Sequence, residues 1–66
     1  MKKSEIEKET IEAAMEYCGG KEGLALKLDR SSRSVELYLR SGIAPANIVR
    51  EIRKMADRQR RKLEKE

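Results

Sequence analysis

The chain has 66 residues, 16 basic against 12 acidic side chains for a formal net charge of +4, one cysteine and no histidine. Such a length leaves room for one domain that buries only about 60 % of the surface its unfolded chain exposes, a lone cysteine closes no internal disulfide, and a zinc site of the usual Cys/His kind is excluded. No apolar run approaches the ~20 residues of a membrane span, and Met1-Lys2-Lys3 is followed by acidic residues instead of an apolar signal core, so the expectation is a soluble, intracellular (cytoplasmic) chain with no membrane partner.

The first helix is predicted to start at Ser4, whose hydroxyl can cap the free backbone N–H groups while Glu7, three residues on, reaches back to complete a capping box. Glu5, Glu7 and Glu9 then sit near the positive end of its dipole. Ile11, Ala14, Met15 and Cys18 follow helical spacing as the buried stripe, with Ile6 one turn earlier. Cys18 reads as a small hydrophobe at the helix end and not as a reactive thiol. Gly19-Gly20 ends the helix, because glycine takes the left-handed conformation at little steric cost.

A second, short helix runs from about Lys21 to Leu28, with Leu24, Ala25 and Leu28 inside and Leu26 and Lys27 toward the outside. The break at Asp29-Arg30 is followed by Ser31-Ser32, either of which can cap the third helix, and Asp29 tolerates a left-handed turn better than most residues. That helix carries Val35, Tyr38 and Leu39 inward and stops at Ser41-Gly42. Gly42-Ile43-Ala44 reads as a turn, and Pro45 suits the first position of a fourth helix at about 45–62. Its apolar positions are Ile48, Val49, Ile52, Met55 and Ala56; beyond Asp57 only Leu63 is aliphatic, and the last residues are expected to fray. Nothing alternates with period two for long enough to predict a strand. The chain is thus read as all-α: a small single four-helix domain, 1–66, with a helix-turn-helix at 21–41 and an extended C-terminal helix.

Charge is unevenly spread along this frame. Residues 1–20 carry three Lys and five Glu, 21–44 five basic and three acidic groups, and 45–66 eight and four. An acidic back and a basic front orient a molecule toward a polyanion.

The pattern Gly19-Gly20, Leu24-Ala25, Leu28, a serine-started helix with Val35, an aromatic at Tyr38, Gly42 and Pro45 resembles the Cro-like phage-repressor helix-turn-helix domains, including the small YdaS-type members. The resemblance covers roughly residues 11–56. It implies that Ala25 lets the two helices approach closely, that Val35 fills the angle between them and that Tyr38 anchors the second helix on the core. Two positions depart from the family: Asp29 stands where it usually has glycine and Arg30 where it usually has an apolar residue, so the turn is strained and lacks one core contact. Tyr38 replaces the commoner tryptophan.

A helix entering the major groove reads base edges through its first turn and the next residues on its outward face. Here those are Ser32, Arg33, Glu36 and Leu37, with Arg40 beyond them. Arg33 is the strongest candidate, since its guanidinium fork matches O6 and N7 of guanine, a contact worth ~1–3 kcal/mol of discrimination. Glu36 can accept from a cytosine amino group, but it also precedes Arg40 by four residues, and an ion pair holding Arg40 toward phosphate is favoured. Leu37 either touches a thymine methyl or is an exposed apolar residue of no consequence. Phosphate contacts are expected from Lys21, Lys27, Arg30, Ser31 and Arg40, and about five neutralised phosphates give a salt slope near −4.5.

For the C-terminal segment three readings stand: a homodimer through Val49, Ile52, Met55 and Leu63, which is preferred; a backbone-binding arm through Arg58, Arg60, Arg61 and Lys62; or a frayed end. The expected partners are double-stranded DNA and a second copy of the chain, and the expected role is that of a repressor-type transcriptional regulator. With no histidine, one buried-type cysteine and no phosphate loop, no enzyme activity, metal, cofactor or small-molecule substrate is expected. The competing reading is a helical interaction module, such as an antitoxin or antirepressor, whose basic face binds an acidic protein.

Overall fold

The computed structural model describes Lys3–Glu64, in the order β1 (Lys3–Glu5), α1 (Lys8–Cys18), α2 (Lys21–Leu28), α3 (Ser32–Ser41), β2 (Ile43–Pro45) and α4 (Ala46–Glu64). The chain is mostly helical, and its four helices among the described residues form a small all-α globule with a two-stranded clasp.

The largest fully buried side chains are Ile11, Leu24, Val35 and Ile52, one from each helix. The stripes predicted from helical spacing therefore converge on one core, which buries no polar or charged side chain among the described residues. Apolar area removed from water at ~25 cal/mol per Å² is the main term holding so small a domain together.

Two helix ends follow the predicted turn chemistry. Gly19 ends α1 in the left-handed region, and the Gly20 N–H donates to the Met15 carbonyl at 2.7 Å. Asp29, with φ of 56°, ends α2, and the Arg30 N–H donates back to the Ala25 carbonyl at 2.9 Å. Arg30 itself is exposed.

The start of the chain does not follow its local pattern. Ser4 does not cap a helix: Lys3–Glu5 pairs antiparallel with Ile43–Pro45, Ser4 facing Ala44, and α1 begins only at Lys8, after Glu7 in an extended conformation with no side-chain cap. The physical reason lies 40 residues away in sequence. The segment after Gly42 offers unpaired backbone groups, the Ile6 N–H donates to the Gly42 carbonyl at 2.8 Å, and Ile6 and Ala44 are both buried against the helices. A capping box of order 1 kcal/mol loses to a ladder plus that burial. Gly42-Ile43-Ala44 is accordingly the start of a strand and not a bare turn, and Pro45 closes the strand, one residue ahead of α4. A proline at a strand end loses no interior ladder bond.

α4 packs chiefly on α1. It leaves the clasp, passes the last turn of α1 where Cys18 Sγ lies 3.3 Å from Met55 Sδ and Gln59 Nε2 donates to Glu16 at 3.3 Å, then continues beyond it. Arg60, Arg61, Lys62 and Leu63 are all exposed. The helix reaches Glu64, two residues past its predicted end, and the fraying expected of the last residues, Lys65 and Glu66, lies outside the described residues.

Candidate nucleic-acid interface

α2, the left-handed residue Asp29 and α3 build a bihelical unit whose crossing is fixed by three local devices. Ala25 is buried, Val35 is fully buried, and Tyr38 and Leu39 are half-buried against the core. At the start of α3 the Ser34 N–H donates to Ser31 Oγ at 3.4 Å, so Ser31 is the N-cap of the third helix. At its end the Ser41 hydroxyl donates to the Leu37 carbonyl at 2.8 Å, and Gly42 takes the left-handed conformation that turns the chain into β2.

A further device, at the contact of α2 with α1, escaped the sequence reading. Gly23 lies in α2 against the end of α1, and a Cβ there would stand 2.1 Å from the Cys18 carbonyl oxygen, far inside contact distance. Only glycine permits this approach. The signal was a glycine inside a helical pattern, which usually marks close packing when it costs ~1 kcal/mol in propensity.

On the outward face of α3, Arg33, Glu36, Leu37 and Arg40 are exposed and Ser32 is half-buried. All five sit on the helix and none is drawn beneath another part of the chain. Lys27 and Arg30 are also exposed, on the last turn of α2 and in the turn that follows it. Leu37 is 54 % exposed, so this face carries an open apolar side chain among its cations, and Leu26 on α2 is 81 % exposed.

Two electrostatic expectations require correction. Glu36 does not pair with Arg40. Its carboxylate takes the Lys21 ammonium as hydrogen-bonded ion-pair partner, linking the first residue of α2 to the middle of α3. That bond, reinforced by the charges of Lys21, Arg40 and Arg33, holds the Glu36 carboxyl below its usual range. Lys21 is therefore engaged within the bihelical unit and is not an open phosphate contact, whereas Arg33 and Arg40 have no ion-pair partner among the described residues. Spacing along one helix favours the i, i+4 partner, but the crossing of α2 over α3 brings a flexible lysine within reach first.

A third correction concerns self-association. Val49 and Ile52 are at most 3 % exposed and Met55 is 8 % exposed, all consumed by the intramolecular core, so they cannot also face a second copy. Of that predicted set only Leu63, 59 % exposed, is open. Sequence spacing identified an apolar stripe correctly but could not tell an intramolecular from an intermolecular destination.

Cys18, the last residue of α1, is half-buried against Met55, and burial pushes its thiol above the ordinary range while Lys27 opposes the shift. A thiol held in its neutral form fits the role of a small packing residue. No group of three or more potential metal-ligating side chains occurs among the described residues, and none of their helices is long and apolar enough to cross a membrane.

The outer side of α4 carries a second basic surface. Arg50, Arg53 and Lys54 line an open groove with Ser4 and Asp57, and Arg53 reaches toward the Glu5 carbonyl at 3.5 Å. Basic residues at 50, 53, 54, 58 and 61 fall off the buried stripe at helical spacing, which is the signal that could have found them. Comparisons of the chain with protein-family models, curated proteins and solved structures find no match.

Proposed function

We propose that the chain is a sequence-specific double-stranded DNA-binding transcriptional regulator of the Cro-like repressor type, with α3 in the major groove, acting as a homodimer on a palindromic operator. The single observation that carries this reading is the open outward face of α3, where Arg33, Leu37 and Arg40 project together behind the left-handed turn at Asp29. Arg33 reads a guanine edge, Leu37 packs on a thymine methyl, and Lys27, Arg30 and Arg40 hold phosphates. With Lys21 tied to Glu36, three cations remain for backbone contacts, and the salt slope becomes about −2.7 per protomer.

The test is selection of bound sequences from random duplex DNA, followed by footprinting and a salt titration on the enriched site. A two-half-site footprint with steep salt dependence supports the reading. Arg33→Ala should lose preference for the selected base, at ~1–3 kcal/mol, with unchanged thermal stability, because Arg33 is exposed. Failure to enrich any sequence favours the interaction-module alternative, for which the exposed apolar side chains Leu26 and Leu37 are the supporting observation.

A further inference from the structure

Two surfaces at one end of the molecule are each electrostatically unbalanced within a single copy. On α1, Glu9, Glu12 and Glu16 are exposed at spacings of three, four and seven, which places them on one stripe. Like charges so arranged repel, and no cation pairs with them among the described residues; Glu16 has only the neutral Gln59. On α4, the stretch beyond Gln59 presents Arg60, Arg61 and Lys62 around the exposed Leu63, and only Arg61 is paired, with Asp57 at 3.2 Å. Leu63 continues the line of Ile52, Ala56 and Gln59 at helical spacing, past the point where α1 stops supporting it.

Beside the acidic stripe is a hollow lined by Glu12, Met15, Glu16, Gly19 and Gly20. It is lined by a half-buried methionine, two glycines and two exposed carboxylates. Leu63 flanked by Arg60 and Lys62 is the chemical complement of that hollow: an apolar side chain for Met15, cations for Glu12 and Glu16.

We infer that the α4 tip of one copy docks in the α1 hollow of a second copy, Leu63 on Met15 with Arg60 and Lys62 against Glu12 and Glu16, and reciprocally. Closure is favoured by position. The Glu16–Gln59 contact puts the hollow next to the penultimate turns of α4, and Leu63 is one turn further, so tip and hollow lie at the same end of each molecule. A two-fold axis there satisfies both contacts at once, as an isologous dimer requires. The interface also leaves the outward face of α3 uncovered, since none of its residues takes part. The dimer rests on the DNA-binding reading for its use, which is to present two α3 helices, but not for its chemistry.

The test is sedimentation equilibrium of the full chain without DNA, over a range of concentration and salt. The wild type should dimerise, more weakly as salt rises. Glu12→Lys with Glu16→Lys in one variant, and Arg60→Glu with Lys62→Glu in another, should each weaken dimerisation roughly a hundredfold by bringing like charges together. Mixing the two restores association as a heterodimer, because each tip then faces a hollow of opposite charge. All four positions are exposed, and circular dichroism of each variant checks the fold. A wild type that stays monomeric, or variants that dimerise unchanged or do not rescue each other, overturn the proposal. DNA selection of the same proteins reads the other property separately: loss of DNA affinity in Arg60→Glu/Lys62→Glu with no change in oligomeric state would make the tip a phosphate-binding arm and overturn the dimer.

Discussion

α3 and α4 are both amphipathic, both basic on their outer sides, and used in opposite ways. α4 buries Ile48, Val49, Ile52, Met55 and Ala56, whereas α3 buries only Val35, helped by the half-buried Tyr38 and Leu39. A helix with five buried positions is a support, and its apolar face is closed to any partner. One held by a single fully buried side chain, an N-cap and one cross-helix ion pair keeps most of its surface for presentation. The difference teaches that cationic composition alone does not distinguish an open helix from a supporting one; the fraction of each helix committed to the core does.

The contrast can be broken most forcefully at Ile52. Ile52→Ala should cost ~2–5 kcal/mol, comparable with the whole stability of ~3–10 kcal/mol for a domain of this length, so thermal unfolding should show a collapsed transition; a normal melting curve would mean that α4 is not the support. Gly23→Ala comes next. Its methyl has to displace the Cys18 carbonyl, and overpacking of this kind costs ~1–3 kcal/mol or more. A variant as stable as the wild type by denaturant titration would show that α1 and α2 can separate without penalty.

Asp29→Gly should act in the other direction, stabilising by ~0.5–1 kcal/mol through relief of the left-handed conformation, net of the added entropy of the unfolded chain. Asp29→Val should destabilise, and a reversed order would remove the turn from the account of how α3 is oriented. The smallest effect is at Glu36. Its folded carboxyl is held below the unfolded value, so the pair with Lys21 contributes fully above pH ~4.3 and that contribution is lost as pH falls through the lower folded value. Glu36→Gln should flatten this acid limb of the stability curve. It should also release Lys21 and steepen the DNA salt slope by ~0.9; an unchanged slope would show that Lys21 does not reach phosphate even when free.

Local chemistry determined much of this protein. Spacing of apolar residues placed Ile11, Leu24, Val35 and Ile52 inside, because a helix of period 3.6 has one inner stripe whatever it packs on. Gly19, Asp29 and Gly42 set the helix ends, since left-handed backbone geometry is a property of a few residues. The outward set on α3 followed as the remainder of that pattern. What only the tertiary structure decided were the relations between distant segments: Lys3–Glu5 as a strand and not a capped helix, Lys21 and not Arg40 as the partner of Glu36, and the chain's own core and not a second copy as the destination of Val49, Ile52 and Met55. Each is a competition among partners of similar local merit, and the outcome depends on which groups the fold brings together, a quantity that sequence spacing does not contain.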